Sequence, residues 1–257
     1  MTEGSAQLVS VIVPCFNERA TLERSITRLI DTDYGDGITK EILIVDDGSN
    51  DGSVDIAREL DDAHECVRLV SLSPNRGKGA AVRAGIIRAT GSIVLIHDAD
   101  LEYDPADHPR ILAPILDGRA DAVIGTRFGG QTHRVLYFLH ALANKFVTFA
   151  CDLVADLNLG DIECCTKAFR KDVIDRIEIK EEGFGVEPEL VIKLGRLRNE
   201  GGKRLCVYEV AISYDGRTYA EGKKIRASDG LWALWCIAKY GFVPMMKSLW
   251  EGPRGKA

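Results

Sequence analysis

The sequence predicts an α/β fold with a doubly wound, mostly parallel sheet and helices on both of its faces. One observation is the alternation, along the first half of the 257-residue chain, of short apolar runs with segments of helical periodicity. The other is that acidic and glycine-containing turns follow those apolar runs directly. Open α/β sheets bind their ligands at such carboxyl ends of strands, so the same pattern predicts a binding crevice.

Each element of the first half has its own signal. The strands are short runs of aliphatic residues, and the first helix shows Leu22, Ile26 and Leu29 on one face. We predict strands at 9–13, 42–45, 67–72, 92–96 and 120–125, and helices at 18–30, 53–60, 77–89 and 105–116.

The second half changes character. Residues 134–157 are apolar but carry a polar residue at every fourth position, from His140 to Asp156, which predicts an amphipathic helix. Because charges interrupt this segment, we expect it at a membrane surface and not across the bilayer. A strand at 166–170, a helix at 188–197 and a strand at 204–210 follow. We therefore expect one domain over 1–220 and an apolar tail over 221–257.

The tail contains all three tryptophans, Trp232, Trp235 and Trp250, together with Tyr240, Lys239 and Lys247. Tryptophan, tyrosine and lysine beside aliphatic residues are typical of helices at the headgroup level of a membrane. The same composition suits packing against a second subunit, so membrane contact and a homodimer both stay open.

The charge and the cysteines of the chain argue against a nucleic-acid-binding protein and against a zinc or disulfide framework. The net charge of −6 and the pI of about 5.5 argue against a nucleic-acid partner, since such proteins usually present a basic field. The seven cysteines show no zinc or disulfide spacing, and no signal peptide precedes them. Reduced thiols in the cytoplasm are the simplest interpretation.

Two carboxylates end the apolar run at 92–97. Asp98 and Asp100 are spaced i, i+2, and oxygen ligands of this kind suit Mg²⁺ or Mn²⁺ shared with a substrate's phosphates. An isolated Asp-x-Asp is more often a plain acidic turn. Here a second acidic turn, Asp46-Asp47-Gly48-Ser49, follows another strand, which favours one crevice for a metal and a nucleotide.

Several motifs follow the strands in a characteristic order: segments 14–18, 46–53, 75–81, 98–102, 125–128, 161–163 and 214–219. In this order and spacing the chain resembles the family 2 glycosyltransferases with the GT-A fold. It is most similar to the branch that contains the dolichyl-phosphate mannose and glucose synthases. The resemblance covers nearly the whole chain. One departure is Cys164-Cys165-Thr166, where many relatives have Thr-Ser-Gly.

The resemblance implies roles for named residues. The donor nucleotide sugar would contact Pro14, Phe16, Glu18, Asp46, Asp47, Lys78 and Asp98. A Mg²⁺ or Mn²⁺ ion on its diphosphate would be held by Asp98, Asp100 and Glu102. The acceptor phosphate would be bound by Arg127, Arg134, Arg217 and Lys223. The residues assigned to catalysis are Asp100, Arg127, Asp161 and Glu163.

The implied reaction is an inverting transfer of a hexose from a nucleotide diphosphate sugar to polyprenyl phosphate. A UDP-sugar is favoured as donor over GDP-mannose, and the enzyme would act peripherally at the inner face of the membrane. A phosphate acceptor is already anionic, so no strong general base is required, whereas a hydroxyl acceptor would need Asp161 or Glu163. The alternatives are a transferase for a soluble hydroxyl acceptor, a nucleotidyltransferase, and a non-catalytic sugar-nucleotide-binding protein.

Overall fold

A seven-stranded sheet forms the centre of the protein in the computed structural model, which describes residues 7–130, 132–135, 137–218 and 227–242. The strand order is β3-β2-β1-β4-β6-β5-β7, and only β6 runs antiparallel to its neighbours. The strands are β1 Gln7–Cys15, β2 Ile38–Asp46, β3 Val67–Ser71, β4 Ile93–Ile96, β5 Ala122–Thr126, β6 Lys167–Arg170 and β7 Val207–Ala211.

Helices connect most of the strands and cover the sheet. They are α1 Leu22–Asp31, α2 Ser53–Ala63, α3 Lys78–Arg88, α4 His108–Leu116, α5 Phe138–Ala155, α6 Lys171–Ile174, α7 Val186–Arg196 and α8 Ala227–Ile237. Consecutive residues of a strand point to opposite faces, yet Val11, Ile12 and Val13 are all fully buried. Both faces of the sheet are therefore covered, as the predicted fold class requires.

The parallel strands place three loops at one edge of the sheet. Cys15 at the end of β1 pairs with Asp46 at the end of β2, and Ile12 of β1 pairs with Ile96 at the end of β4. The acidic turns after β2 and β4 therefore flank the loop after β1.

The sequence prediction of an α/β sheet is confirmed; its errors are a missed short helix, α6, and several element boundaries. The first helix begins at Leu22, because residues 18–21 form a turn in which Glu18 O accepts from the amides of Thr21 and Leu22. The predicted helix 105–116 divides into a 3₁₀ turn at Pro105–Asp107 and α4. The last strand begins at Val207 and not at residue 204, while residue 204 forms only an isolated bridge.

Helix α5 directs Asn144 and Thr148 toward the protein, together with the small or aliphatic residues Val147, Cys151 and Ala155, and exposes most of its large apolar side chains. The Asn144 side chain donates a hydrogen bond to Asp161, and the Thr148 hydroxyl accepts one from the amide of Ile162. The exposed large apolar side chains of the helix are Phe138, Leu139, Leu142, Phe146, Phe149 and Leu153. By length and composition alone, it is also the one helix of the described residues that could cross a membrane. Within this helix, the charged residues are Lys145 and Asp152, and its expected position at a membrane surface stays a prediction.

The described part of the tail consists of α8 and a π-helical turn at Ala238–Phe242. Leu231, Trp232 and Trp235 are exposed, while Cys236 and Ile237 are buried. Trp250 and Lys247 lie outside the described residues.

Candidate active site

The loops after β1 and β2 are joined by hydrogen bonds between their turns. The amide of Asn17 donates to Ser49 Oγ at 2.9 Å, and the amide of Glu18 donates to Ser53 Oγ at 2.9 Å. Asn17 has a φ of 52°, a left-handed conformation that asparagine tolerates better than most residues. These contacts fix the first loop, with half-buried Pro14 and Glu18 and exposed Phe16, beside the acidic turn.

Asp47 organises the glycine-containing loop that follows β3. Its carboxylate accepts from the amide of Arg76 at 3.0 Å and from Asn75 Nδ2 at 2.9 Å, and it also accepts from the amide of Gly77. Burial raises the pKa of Asp47, although the N–H groups of Arg76 and Gly77 act in the opposite direction. The contacts in the structure are therefore those of a residue that holds the loop 75–77 in place; its predicted contact with the donor stays a prediction.

Asp46 has an acceptor that the described protein does not use. Its Oδ2 accepts from the amides of Gly48 and Ser49 at 3.2 Å, but its Oδ1 is buried without a hydrogen-bond partner among the described residues. A buried carboxylate oxygen without a donor is costly. A ligand N–H or hydroxyl placed there would remove that cost.

Lys78 joins Asp98 to the protein interior. At the start of α3, its Nζ lies 3.0 Å from an Asp98 carboxylate oxygen and 3.0 Å from Glu187 Oε1, and Glu187 in turn pairs with fully buried Lys167. Burial alone would lower the pKa of Lys78, but the charges of Asp98 and Glu187 outweigh it and raise that pKa well above its usual range. Lys78 is thus a fixed positive charge at the side of Asp98.

Arg217 lies among three carboxylates. Its Nη2 is 2.6 Å from Asp100 Oδ2, its Nε is 3.0 Å from Glu102 Oε1, and its Nη1 is 3.5 Å from Glu18 Oε2. Burial and the charges of Asp98 and Glu102 raise the pKa of Asp100 to about 7, although Arg217 acts against that rise. Between Asp100 and Glu102, Leu101 has a φ of 62°, a strained value for a bulky residue and a feature that concentrates at functional sites.

The predicted metal ligands do not converge on one point as they stand. Asp98 faces Lys78, Asp100 and Glu102 face Arg217, and no group of three ligating residues within the described ranges is arranged to hold an ion. The ligand atoms nevertheless suit a hard divalent cation, because they are carboxylate oxygens. The protein also places a cation of its own, the Arg217 guanidinium, among them. The chemistry of these residues therefore fits a divalent ion, although Arg217 is the cation that contacts Asp100 and Glu102 in this structure.

Glu102 additionally positions the segment that carries Arg217. Its carboxylate accepts from Tyr214 OH at 2.9 Å and from the amide of Arg217 at 3.1 Å, and its carbonyl accepts from the amide of Asp215 at 2.9 Å. Residues 102 and 214–217, far apart in sequence, form one wall of the site.

Arg127 and Asp161 form a buried ion pair. Arg127 Nε is 2.6 Å and Nη2 is 2.8 Å from the two Asp161 oxygens, and Asn144 of α5 donates to the same carboxylate at 3.1 Å. Burial alone would raise the pKa of fully buried Asp161, but Arg127 outweighs it and holds that pKa below its usual range. Asp161 is therefore tied to Arg127 in a way that does not suit a general base.

Glu163 has the opposite environment. Its Oε1 is buried without a hydrogen-bond partner among the described residues, and burial together with the charge of Glu187 raises the pKa of Glu163 to about 7. A carboxyl group that titrates near neutral pH can accept a proton under physiological conditions. Of the two predicted candidates for a base, Glu163 has the suitable pKa.

Arg134 lies beside the wall formed by 214–217. Its amide donates to Tyr214 O at 2.8 Å, and its Nη1 donates to Gly216 O at 3.3 Å. A cleft of about 560 Å³ opens here, lined by residues that include Glu102, Tyr103, Arg134, Tyr214 and Asp215. Lys223, the fourth residue predicted to bind the acceptor phosphate, lies outside the described residues.

The sequence analysis missed residues whose importance depends on burial. Glu187 and Lys167 are charged, and each is buried in the pair that supports Lys78. Glu181 was missed as well: its carboxylate accepts from Trp232 Nε1 at 3.2 Å and from Lys239 Nζ and Tyr240 OH at 2.7 Å each. The only sequence signal for Glu187 was its place among acidic residues near the start of α7, and acidic residues there usually indicate a helix N-terminus.

Comparisons with known proteins match this chain to one family of enzymes. The sequence-family model described as Glycosyl transferase family 2 matches residues 10–178. The chain is 30% identical over 220 residues to a dolichol-phosphate mannosyltransferase of Pyrococcus furiosus, covering 84% of this chain and 58% of that protein. It is 31% identical over 227 residues to an undecaprenyl-phosphate 4-deoxy-4-formamido-L-arabinose transferase of Aeromonas hydrophila, covering 87% and 64%. The chain thus spans about three fifths of the length of these relatives.

Solved structures show the same fold. Glucosyl-3-phosphoglycerate synthase of Mycobacterium tuberculosis superposes with a TM-score of 0.69 at 19% identity, covering 93% of this chain and 82% of that chain. A second structure of that enzyme, in complex with Mn²⁺, uridine diphosphate and phosphoglyceric acid, gives a TM-score of 0.66 at 21% identity, covering 91% and 78%. At this identity the likeness establishes the GT-A type of fold alone.

Proposed function

Because the chain belongs to glycosyl transferase family 2, we propose that it transfers a hexose from a nucleotide diphosphate sugar to a polyprenyl phosphate at the surface of a membrane. The matched relatives named above act on dolichol phosphate and undecaprenyl phosphate, which supports a lipid phosphate as the acceptor. A UDP-sugar is our first choice of donor, and GDP-mannose is the second.

One observation carries the proposal. The exposed apolar face of α5 is linked to the predicted acceptor residue Arg127 through Asn144, on the inner side of that helix, which donates a hydrogen bond to Asp161, the partner of Arg127. A helix that presents phenylalanine and leucine outward while its polar side supports a buried arginine is suited to bring a lipid headgroup to the site. The exposed Trp232 and Trp235 of α8, which packs on α5, extend the same apolar surface.

The donor side supports a nucleotide diphosphate sugar. The Asp46 oxygen that has no partner among the described residues suits a hydrogen-bond donor on a base or ribose, and exposed Phe16 offers an aromatic surface on the neighbouring loop after β1. When bound, a Mg²⁺ or Mn²⁺ ion would neutralise charge that develops on the departing nucleoside diphosphate. Asp98, Asp100 and Glu102 are the residues that we assign to it, while Lys78 supplies a fixed positive charge at Asp98.

The transfer needs little acid–base chemistry. A phosphate monoester is largely ionised near neutral pH, since its second pKa is about 6. One of its oxygens forms a bond to C1 of the sugar while the bond from C1 to the diphosphate oxygen breaks, which inverts the anomeric centre. The protein's contribution is to align the two substrates and to stabilise the charges. We place this reaction at the inner face of the membrane, in keeping with seven cysteines that are all free.

Glu163 favours a second candidate function. A carboxyl group with a pKa of about 7 beside the Arg127–Asp161 pair suits deprotonation of a hydroxyl acceptor. Transfer to a soluble metabolite or glycan is therefore the alternative that we carry forward.

A panel of donors and acceptors separates the two functions. Purified protein with Mn²⁺ is offered UDP-glucose, UDP-N-acetylglucosamine and GDP-mannose, each with and without a short polyprenyl phosphate in vesicles. Sugar recovered in the lipid fraction from one donor supports the proposal. Transfer to a soluble hydroxyl without lipid, lost in Glu163→Gln, supports the alternative and overturns the proposal.

A further inference from the structure

The role of Arg217 needs an explanation beyond phosphate binding. An arginine that binds an acceptor phosphate must present its guanidinium to that phosphate. Instead, the Arg217 side chain faces Glu18, Asp100 and Glu102, and its ion pair with Asp100 is the shortest of the three at 2.6 Å. All four side chains are largely shielded from solvent, with between 10% and 18% of each exposed.

The same three carboxylates need a positive charge among them. Without one, their mutual repulsion at such short range would be costly, and partial burial would increase that cost. Arg217 meets this need with three different nitrogens, one to each carboxylate. A divalent cation with oxygen ligands would meet the same need with twice the charge.

We propose that Arg217 is an exchangeable cation: it pairs with Asp100 and Glu102, and with Glu18 beside them, until a divalent ion binds at Asp100 and Glu102, and it then turns to the anionic acceptor. The identity of the acceptor as a lipid phosphate rests on the proposed function; the exchange itself does not. Arg217 is in this sense a positioning residue that couples the donor side of the site to the acceptor side.

The backbone around Arg217 permits such a movement of the side chain. Its amide and that of Asp215 are held by Glu102, and Tyr214 OH donates to the same carboxylate, so the segment stays anchored while the guanidinium moves. The cleft lined by Tyr214, Asp215 and Arg134 begins at the neighbouring residues of the same segment. A released Arg217 therefore has a cleft beside it, in which Arg134 is a second cation for a phosphate.

The exchange makes the two binding events depend on each other. If a divalent ion frees Arg217 for the phosphate, then the phosphate must strengthen binding of the ion by the same factor. The acceptor phosphate then binds most tightly when the ion that accompanies the donor is bound.

Mn²⁺ binding tests the exchange without sugar or lipid. The free Mn²⁺ signal in electron paramagnetic resonance is followed at pH 8 for wild type, Arg217→Gln, Arg217→Lys and Arg19→Gln. We expect Arg217→Gln to bind Mn²⁺ on the order of tenfold more tightly, within the usual range of coupling between sites, and Arg217→Lys to tighten binding less. Arg19 is the control, because it is next to Glu18 in sequence but contacts Asp51.

Unchanged or weaker Mn²⁺ binding in a folded Arg217→Gln protein overturns the exchange. A thermal melt of each variant establishes folding, and Arg217→Lys serves if the glutamine variant does not fold.

A second titration measures binding of farnesyl phosphate to wild type with and without Mn²⁺ and UDP. Tighter binding with Mn²⁺ and UDP, lost in Arg217→Gln, supports the acceptor half of the proposal, and equal binding overturns that half. Because the Mn²⁺ titration uses neither donor nor lipid, its outcome is independent of the proposed transfer reaction.

Discussion

The side-chain amide of Asn144 donates to Asp161 Oδ1 at 3.1 Å, and this bond connects the inner side of α5 to the buried ion pair at Arg127. Asn144 lies on the polar stripe of a helix whose outer face exposes Phe146 and Phe149. A surface suited to lipid and a residue predicted to bind the lipid's phosphate are therefore neighbours in one hydrogen-bonded unit.

Replacing Asn144 with alanine is expected to weaken that unit. A hydrogen bond to a charged group contributes about 1.5–3 kcal/mol, so we predict a loss of this size in the free energy of unfolding and a raised KM for polyprenyl phosphate. Denaturant unfolding and acceptor titration measure the two effects, with exposed Asn158→Ala as the control. Equal stability and equal KM in both variants would show that Asn144 supports neither the ion pair nor acceptor binding.

The Arg127–Asp161 pair is expected to be strongly coupled in stability. Arg127→Gln leaves the fully buried Asp161 without its partner, which typically costs about 3–5 kcal/mol. Arg127→Gln combined with Asp161→Asn is expected to recover part of that loss, and a double-mutant cycle of urea unfolding measures the coupling. Additive losses would show that the pair does not act as a unit. Recovered stability without recovered transfer would show that the pair also serves the reaction.

Glu163 predicts a particular pH dependence of stability. Its pKa in the folded protein is raised from 4.5 to about 7, so between these values the folded state keeps a proton that the unfolded state has lost. Stability from this group is therefore present at low pH and is lost as the pH rises through 7, by up to about 3 kcal/mol.

Glu163→Gln removes this dependence. We subtract the free energy of unfolding of wild type from that of the variant, each measured by urea unfolding. This difference should be more favourable to the variant at pH 8 than at pH 5. Exposed Glu178→Gln is the control. If the difference between wild type and Glu163→Gln is the same at both pH values, the raised pKa is refuted.

The apolar face of α5 predicts binding to vesicles. Phe146 and Phe149 are 59% and 66% exposed, and burial of one such side chain is worth about 1.5–3 kcal/mol. Phe146→Ser with Phe149→Ser should weaken co-sedimentation with anionic vesicles at least about tenfold. Ile87→Ser is the control, because Ile87 is equally apolar and 72% exposed on α3. Equal losses in both proteins would show non-specific adsorption.

Much of the fold follows from local sequence patterns. The short aliphatic runs specified β1, β2 and β4, and the turns after them identified Asp46 and Asp98 as residues at one sheet edge. Where the pattern failed, tertiary contacts decided the outcome: the turn at Glu18–Thr21 delays the start of α1, and the antiparallel β6 has no signature in its own sequence.

The partners of charged side chains could not be predicted from the sequence. Arg217 is separated from Asp100 by 117 positions, and Lys78 from Glu187 by more than a hundred, so neither pairing leaves a local signal. The family resemblance pointed to Arg217 as a phosphate ligand and to Asp100 as a metal ligand. That the two residues contact each other is visible only in three dimensions, and it motivates the proposed exchange.

The most direct test of the account measures transfer of labelled sugar from the preferred donor to polyprenyl phosphate in vesicles. Wild type is compared with Asp100→Asn and with Asp117→Asn, a matched change at an exposed residue at the end of α4. We predict labelled lipid from wild type and Asp117→Asn, and at least about a hundredfold less from Asp100→Asn, as expected when a charge-stabilising group is lost. Absence of labelled lipid from wild type with every donor, or undiminished transfer by Asp100→Asn, would contradict the account.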